Sequence, residues 1–270
     1  MGGWLAYAHY VGIVNGQWEV VLVNLRTLHQ RTLARRSPGI AVDIGPLLYG
    51  WGHTLIWTAG EIDRRGRVVS RVRAYDVRTG RQQVLSSSPP HAPGWTAHTV
   101  RFINARVSGS LMTFLHQTAA GDDVWVEDLR TGHLRALTRT GRASEAVVTG
   151  PWVAWGVTGK NAVGPVMVAD VRTGAVRTVS TAPSYDLSAG NGLLIWIDNR
   201  TGQYTVLDVA TGHRWQVPRL SPTQGIGTSA HVIGSAIVET AIDNRSAAHN
   251  VYLVRVLVYA TRRLPAVPAF

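Results

Sequence analysis

The side chains able to do chemistry fall in a few loops. "SSSPPHAPGWTAH" at Ser86–His98 holds His91, Trp95 and His98. An indole there could stack on a sugar or a peptide, and the two imidazoles could ligate a metal or carry protons. The same letters also describe a proline-stiffened surface loop with Trp95 folded onto the protein, and that plainer reading is preferred. "AGEIDRRGR" brings together Glu61, Asp63, Arg64 and Arg65, and "DNR" occurs twice, at Asp198-Asn199-Arg200 and Asp243-Asn244-Arg245. A rim of aspartate and arginine around a channel would hold a polar ligand. A tripeptide that repeats in equivalent loops is first a turn, with Asp and Asn bonding the backbone and Arg pairing with a neighbouring carboxylate. A lyase-type reaction would need a base and a cation at one place: His91, His98 or His231 beside Arg64 or Arg200. The candidate ligand-binding residues are therefore His91, Trp95, His98, Arg64, Arg65, Asp198, Arg200, Asp243, Arg245 and His231.

Other chemistries lack their signatures. The histidines show no H-E-x-x-H or related spacing, and there is no G-x-S-x-G elbow, phosphate loop or calcium loop. "GIGTSA" at Gly225–Ala230 has glycines but no phosphate-binding lysine, and reads as a flexible connection. There is no cysteine, which excludes disulfides and thiolate metal sites. No catalytic residue, cofactor or metal is expected. The formal net charge is +11, which invites a nucleic-acid reading. Lys160 is the single lysine, however, and no run of arginines exceeds two, as at Arg35-Arg36, Arg64-Arg65 and Arg262-Arg263. A binding surface would need the arginines gathered in space, and a solvated basic surface is the expectation. "MGGWLAYAHY" lacks the basic start and apolar stretch of a signal peptide, and no run reaches the length of a membrane span.

What must position these loops is a repeat. "DVRTG" stands at Asp76–Gly80 and again at Asp170–Gly174, with "DLRTG" at Asp128–Gly132 and "DVATG" at Asp208–Gly212. Each lies between two short β-rich runs, such as "VWVE" before Asp128 and "HLRAL" after Gly132, which makes a hairpin. Asp accepts backbone N–H groups two or three residues on, and the terminal Gly takes the positive φ such a turn requires. Asp76, Gly80, Asp128, Gly132, Asp170, Gly174, Asp208 and Gly212 are thus turn residues. Worn copies put Asn24 before the first and Arg255 after the last, at spacings of about 40 to 50 residues, the period of propeller blades. A second marker keeps the same order: "LAY", "LIW", "MTF", "VAW" and "LIW" end on Tyr7, Trp57, Phe114, Trp155 and Trp196, and Glu239 takes that place in the sixth unit. Gly3, Gly52, Gly109, Gly150, Gly192 and Gly234 precede them. The aromatics are read as packing between neighbouring sheets.

Each unit then reads as four antiparallel strands, a to d in chain order, with the aromatic closing strand b and the D-x-x-T-G word turning c into d. The third unit places them at Val100–Val107, Leu111–His116, Val124–Asp128 and His133–Thr138. "GPWVAWGV…VMVADVRTGAVRTVS" and "NGLLIWIDNRTGQYTVLDVATGHRWQV" resemble the propeller repeats of TolB and its relatives, over nearly the whole chain. The resemblance implies an all-β, six-bladed β-propeller in a single domain, residues 1–270. Its blades run near 1–37, 38–88, 89–140, 141–182, 183–220 and 221–270. The first blade begins at strand b, and "PAVPAF" follows the last, so closure needs the tail or a longer chain. In such blades the a–b and c–d turns share one end, and the b–c and d–a segments share the other. Irregular loops on a rigid frame are where binding is expected, so the b–c/d–a face is the expected site. With no catalytic constellation in the sequence, the expected function is a non-catalytic binding or scaffold module that grips a protein or peptide, and the resemblance implies an extracytoplasmic (periplasmic or secreted) setting. A carbohydrate-active, lyase-like enzyme acting on polysaccharide is the alternative, and polyanion or nucleic-acid binding through arginine comes after it.

Overall fold

The computed structural model describes residues 3–10, 18–35, 46–62, 64–88, 105–118, 120–158, 164–217, 228–233, 236–243 and 253–260. Every regular element among them is a strand, and none of them forms a helix long and apolar enough to cross a membrane. The strands pair antiparallel with their neighbours in sequence. The chain divides into two units, Met1–Gly141 and Arg142–Phe270.

The first unit holds three sheets. The first consists of β1 (Trp4–Tyr10), β2 (Trp18–Asn24) and β3 (Gln30–Arg35). The second runs β4 (Leu47–Trp51), β5 (Thr54–Ile62), β6 (Val68–Asp76) and β7 (Gln82–Ser87). The third runs β8 (Arg106–Ser108), β9 (Leu111–Thr118), β10 (Gly121–Asp128) and β11 (His133–Ala136). Strands b and c are covered on both faces, so they read as near-continuous apolar runs such as "WEVVLVN". Strands d, such as "QRTLAR" and "QQVLSS", are polar and largely exposed, which suits a sheet edge. Strand b runs past its aromatic rather than ending there: β5 continues from Trp57 to Ile62 and β9 from Phe114 to Thr118. The paired c strands are equally long, so the backbone groups find partners to the end.

The aromatics bind sheet to sheet. Trp57 is fully buried against Trp18, Val20 and Leu22 of the first sheet. Phe114 and Met112 close on Ile56, Val72 and Ala74 of the second. Tyr49 on β4 donates its hydroxyl to the Ala105 carbonyl at the start of the third sheet, and burial pushes that phenol up, against the pull of Arg106. Tyr7 departs from the pattern and is 36% exposed.

The second unit opens with a seven-stranded sheet: β12 (Ala143–Thr149), β13 (Trp152–Val157), β14 (Gly164–Asp170), β15 (Val176–Gly190), β16 (Leu193–Asp198), β17 (Tyr204–Asp208) and β18 (Arg214–Val217). The 15-residue β15 pairs with β14 through its first part and with β16 through its last. It is strand d of one repeat and strand a of the next. Pro183 sits where the partner changes, where a missing N–H interrupts no regular ladder. Trp196, Leu194 and Leu207 pack on Val147, Ala154, Val166 and Val168. The last sheet has β19 (Thr228–Ile233), β20 (Ala236–Asp243) and β21 (Leu253–Ala260). Ile195, Ile197 and Val206 reach it through Ala230 and Ile237. Arg255, expected at the sixth turn, instead pairs with Ala241 inside β21, whose β-rich sequence keeps pairing to Ala260.

The repeated word folds by its own local bonds. The first residue's side chain accepts the N–H of the third at 2.8–3.0 Å in Asn24–Leu28, Asp76–Gly80, Asp128–Gly132, Asp170–Gly174 and Asp208–Gly212. The fifth residue's N–H returns to the first carbonyl at 2.7–2.8 Å. The threonine hydroxyl then accepts the N–H two residues on at 3.2–3.4 Å. The glycines take φ between 72° and 76°, and Leu28 takes the same left-handed place at φ 57°. The second residue's N–H reaches across to the a–b turn, as Val77 to His53, Leu129 to Ser110 and Val209 to Gly192. This bond fastens the a–b and c–d turns together at one end of each sheet.

Candidate functional site

Where they are described, the connections at the expected b–c/d–a end are short and individually built. Glu61 belongs to β5, paired with Val69, so the hairpin is tighter than the sequence suggests. Asp63 lies outside the described residues, and Arg64 and Arg65 are exposed in the turn that follows. In the third sheet only residues 119 and 120 separate β9 from β10. Asp123, which sequence reasoning did not single out, is buried there. Its Oδ1 accepts the Thr138 hydroxyl at 2.9 Å and the N–H groups of Thr140 and Gly141 at 2.8 and 3.0 Å. It thus latches the segment leaving β11 onto the b–c hairpin. The backbones are so close that a Cβ on Gly121 would stand 2.1 Å from the Gly141 carbonyl oxygen.

In the second unit, Asp198-Asn199-Arg200 continues as Thr201-Gly202, a fifth D-x-x-T-G string placed between strands b and c. It folds as the others do. Asp198 Oδ1 accepts the Arg200 and Thr201 N–H groups at 2.8 and 3.4 Å, and Gly202 N–H returns to the Asp198 carbonyl at 2.8 Å. Asn199 N–H bonds the Pro183 carbonyl, tying the turn to β15. Arg200 is left exposed at the third place. The string itself was the available signal; it stands off the blade period. Asp243 ends β20 opposite Leu253, while Arg245 lies outside the described residues. His231 is exposed on β19. Of the long link, Ser86 and Ser87 belong to β7 and Ser88 is buried, its hydroxyl accepting the Ser70 N–H at 3.0 Å. His91, Trp95 and His98 lie outside the described residues.

Two further acidic residues escaped sequence reasoning. Glu145 and Asp186 occupy matching bulges in β12 and β15 with left-handed backbone, φ 48° and 58°. Glu145 Oε2 accepts the Leu187 N–H at 3.0 Å, joining the two bulges. No spacing or string announces a bulge of this kind. Among the described residues no group of three or more His, Asp or Glu side chains is placed to hold a metal ion.

The turn carboxylates are engaged. The Thr79 and Arg78 N–H groups hold Asp76 below the usual carboxylate range. At Asp170 the Arg172 guanidinium does so first. At Asp128 burial pulls upward, and the N–H and guanidinium of Arg130 outweigh it.

No protein-family model matches the sequence, and no curated protein does. Solved structures do match. The chain is similar to TolB from Acinetobacter baumannii at 13% identity and a TM-score of 0.53, covering 94% of this chain and 63% of that one. It is also similar to an acylaminoacyl peptidase from Pyrococcus horikoshii at 9% identity and a TM-score of 0.60, covering 99% of this chain and 44% of that one. The chain therefore spans less than two thirds of either protein. At these identities the likeness shows the fold: an all-β, TolB-like propeller repeat.

Proposed function

We propose that the chain is a non-catalytic binding module that recognises a protein or peptide through the b–c/d–a end of its blades. The observation that carries this reading is the Asp198–Gly202 turn. Its carboxylate is consumed in closing the turn, so what it offers a partner is Arg200, held out on a rigid five-residue frame. Arg64 is also exposed, in the turn after β5. Short, internally bonded loops lose little freedom on binding, which favours recognition over induced rearrangement. A single six-bladed ring over residues 1–270 and an extracytoplasmic setting belong to the same proposal, on the resemblance of the repeats to those of TolB.

The test is a screen of the purified chain against cell-envelope proteins, acidic polysaccharides and DNA at low and high salt. A protein partner that survives high salt, and is lost in the Trp95→Ala/His98→Ala and Arg64→Glu/Arg200→Glu variants, is the expected result. Binding confined to polyanions and abolished by salt would overturn it. Consumption of an acidic polysaccharide, with new ultraviolet absorbance from unsaturated ends, would establish the lyase instead.

A further inference from the structure

One place of the repeated turn stays exposed. Its first, fourth and fifth residues are committed to internal bonds and its second to the a–b turn, whereas the side chain of the third stands at the surface, in Arg130 3.5 Å from the Asp128 carboxylate of its own turn. In the first unit that place holds Arg26, Arg78 and Arg130, all exposed. Arginines spread along the sequence are thereby delivered one per sheet to the same end. The ends are adjacent in space. Arg31, just after the first turn, donates to the Tyr75 hydroxyl at 2.9 Å and lies beside Gly80 of the second. Ser110, Leu129 and Arg130 of the third sheet line a groove of about 400 Å³ with Ile56, Ala74 and Gln83 of the second. A neighbouring cleft of about 310 Å³ is bordered by Thr79 and Arg81.

This end is both cationic and apolar. Arg26, Arg31, Arg78, Arg81 and Arg130 outnumber the carboxylates of Asp76 and Asp128, which are bound within their own turns, and Glu127 is buried. Leu25, Leu28 and Val84, at 53%, 71% and 47% exposure, border the same turns. The groove floor is made by Ile56, Ala74 and Leu129. Exposed aliphatic side chains interleaved with guanidinium groups suit a polypeptide. Bare nucleic acid would use the cations but not the floor, and it stacks on aromatic rings.

We propose that the a–b/c–d end of the first unit is a docking surface for an extended acidic peptide segment of a partner protein. Packed sheets stand about 10 Å apart, and an extended chain advances about 3.4 Å per residue. Guanidinium groups delivered one per sheet therefore match carboxylates at every third residue, with apolar side chains between them for the groove. This surface is at the opposite end of the sheets from the one proposed above and does not depend on it.

The test uses the full chain and a fluorescein-labelled peptide of repeated glutamate-leucine-serine, read by fluorescence anisotropy at about 0.05 M and about 0.3 M salt. Control peptides carry lysine for glutamate or serine for leucine, and a DNA duplex is the competitor. The Arg26→Glu/Arg78→Glu/Arg130→Glu variant is expected to bind the acidic peptide at least tenfold more weakly, with an unchanged melting temperature. Arg139→Glu, at an exposed arginine that neither proposed surface uses, is expected to bind it as the parent does. If charge reversal prevents folding, the corresponding glutamine variant is read in its place. Equal binding by the variant and the parent would overturn the proposal. So would equal binding of the leucine-free peptide, or tighter binding of DNA that displaces the peptide.

Discussion

At one end of the described sheets, the hairpins close with one five-residue design; at the other, each connection is solved separately. The a–b/c–d end uses bonds contained within the turn and one bond to its neighbour, so it looks alike in the five repeats whose turns start at Asn24, Asp76, Asp128, Asp170 and Asp208. The b–c/d–a end uses Gly66 after β5, a buried carboxylate after β9 and a transplanted copy of the common turn after β16. The uniform end is the one where a single exposed position, repeated, makes a patterned surface. The irregular end offers individual groups whose identity differs from sheet to sheet.

The strongest way to break this contrast is at the irregular end, where closeness has no slack. Gly121→Ala drives a Cβ into the Gly141 carbonyl and should lower stability by about 3 kcal/mol, seen as a fall in melting temperature. Asp123→Ala strands the N–H groups of Thr140 and Gly141 and should cost about 2 kcal/mol. It should also make the chain newly sensitive to trypsin at Arg139 or Arg142; unchanged digestion would mean the latch is dispensable. Asp76→Ala and Asp198→Ala sit at opposite ends of their sheets yet remove the same acceptor, so both should lower the chemical-denaturation midpoint by comparable amounts. Clearly unequal losses would show that the transplanted turn is a different device. Leu28→Gly should stabilise by about 0.5 kcal/mol by relieving a left-handed leucine. Because Leu28 is exposed on the proposed docking surface, the same variant should bind the acidic peptide less well.

Acid should weaken the uniform end. The turns bind Asp76, Asp128 and Asp170 as carboxylates, so the unfolded chain takes up protons first as pH falls. The stability these groups contribute is full above the usual carboxylate range and is lost as pH drops through and below it. A denaturation series from neutral pH to about pH 3 should show the decline, and it should shrink in the Asp76→Asn variant.

The uniform end was legible in sequence because its bonds close within five residues: Asp, Thr and Gly carry the turn wherever they fall. Asp198 obeys the same rule, yet counting the period assigns it to a variable loop. Counting also puts a turn at Arg255, where the uninterrupted run "LVRVLVYA" continues the strand. The aromatic places were legible because Trp57, Phe114 and Trp196 each fill the gap to the preceding repeat, a demand that recurs along the chain. The Asp123 latch and the Glu145 bond to Leu187 join residues far apart in the chain, and no local spacing encodes them. The arginine pattern was present in the letters, but its meaning depended on the sheets aligning their turns.

The unbroken strand Val176–Gly190 has a consequence for how the second unit comes apart. Ordinary neighbours in a repeat array can detach at the link between them. Here the link is itself a strand, with ladder bonds to β14 on one stretch and to β16 on the next. Local opening of either repeat must strip bonds from the other, so the two should exchange their amide protons together as a single cooperative foldon. The same continuity removes the site where an inserted segment would be tolerated.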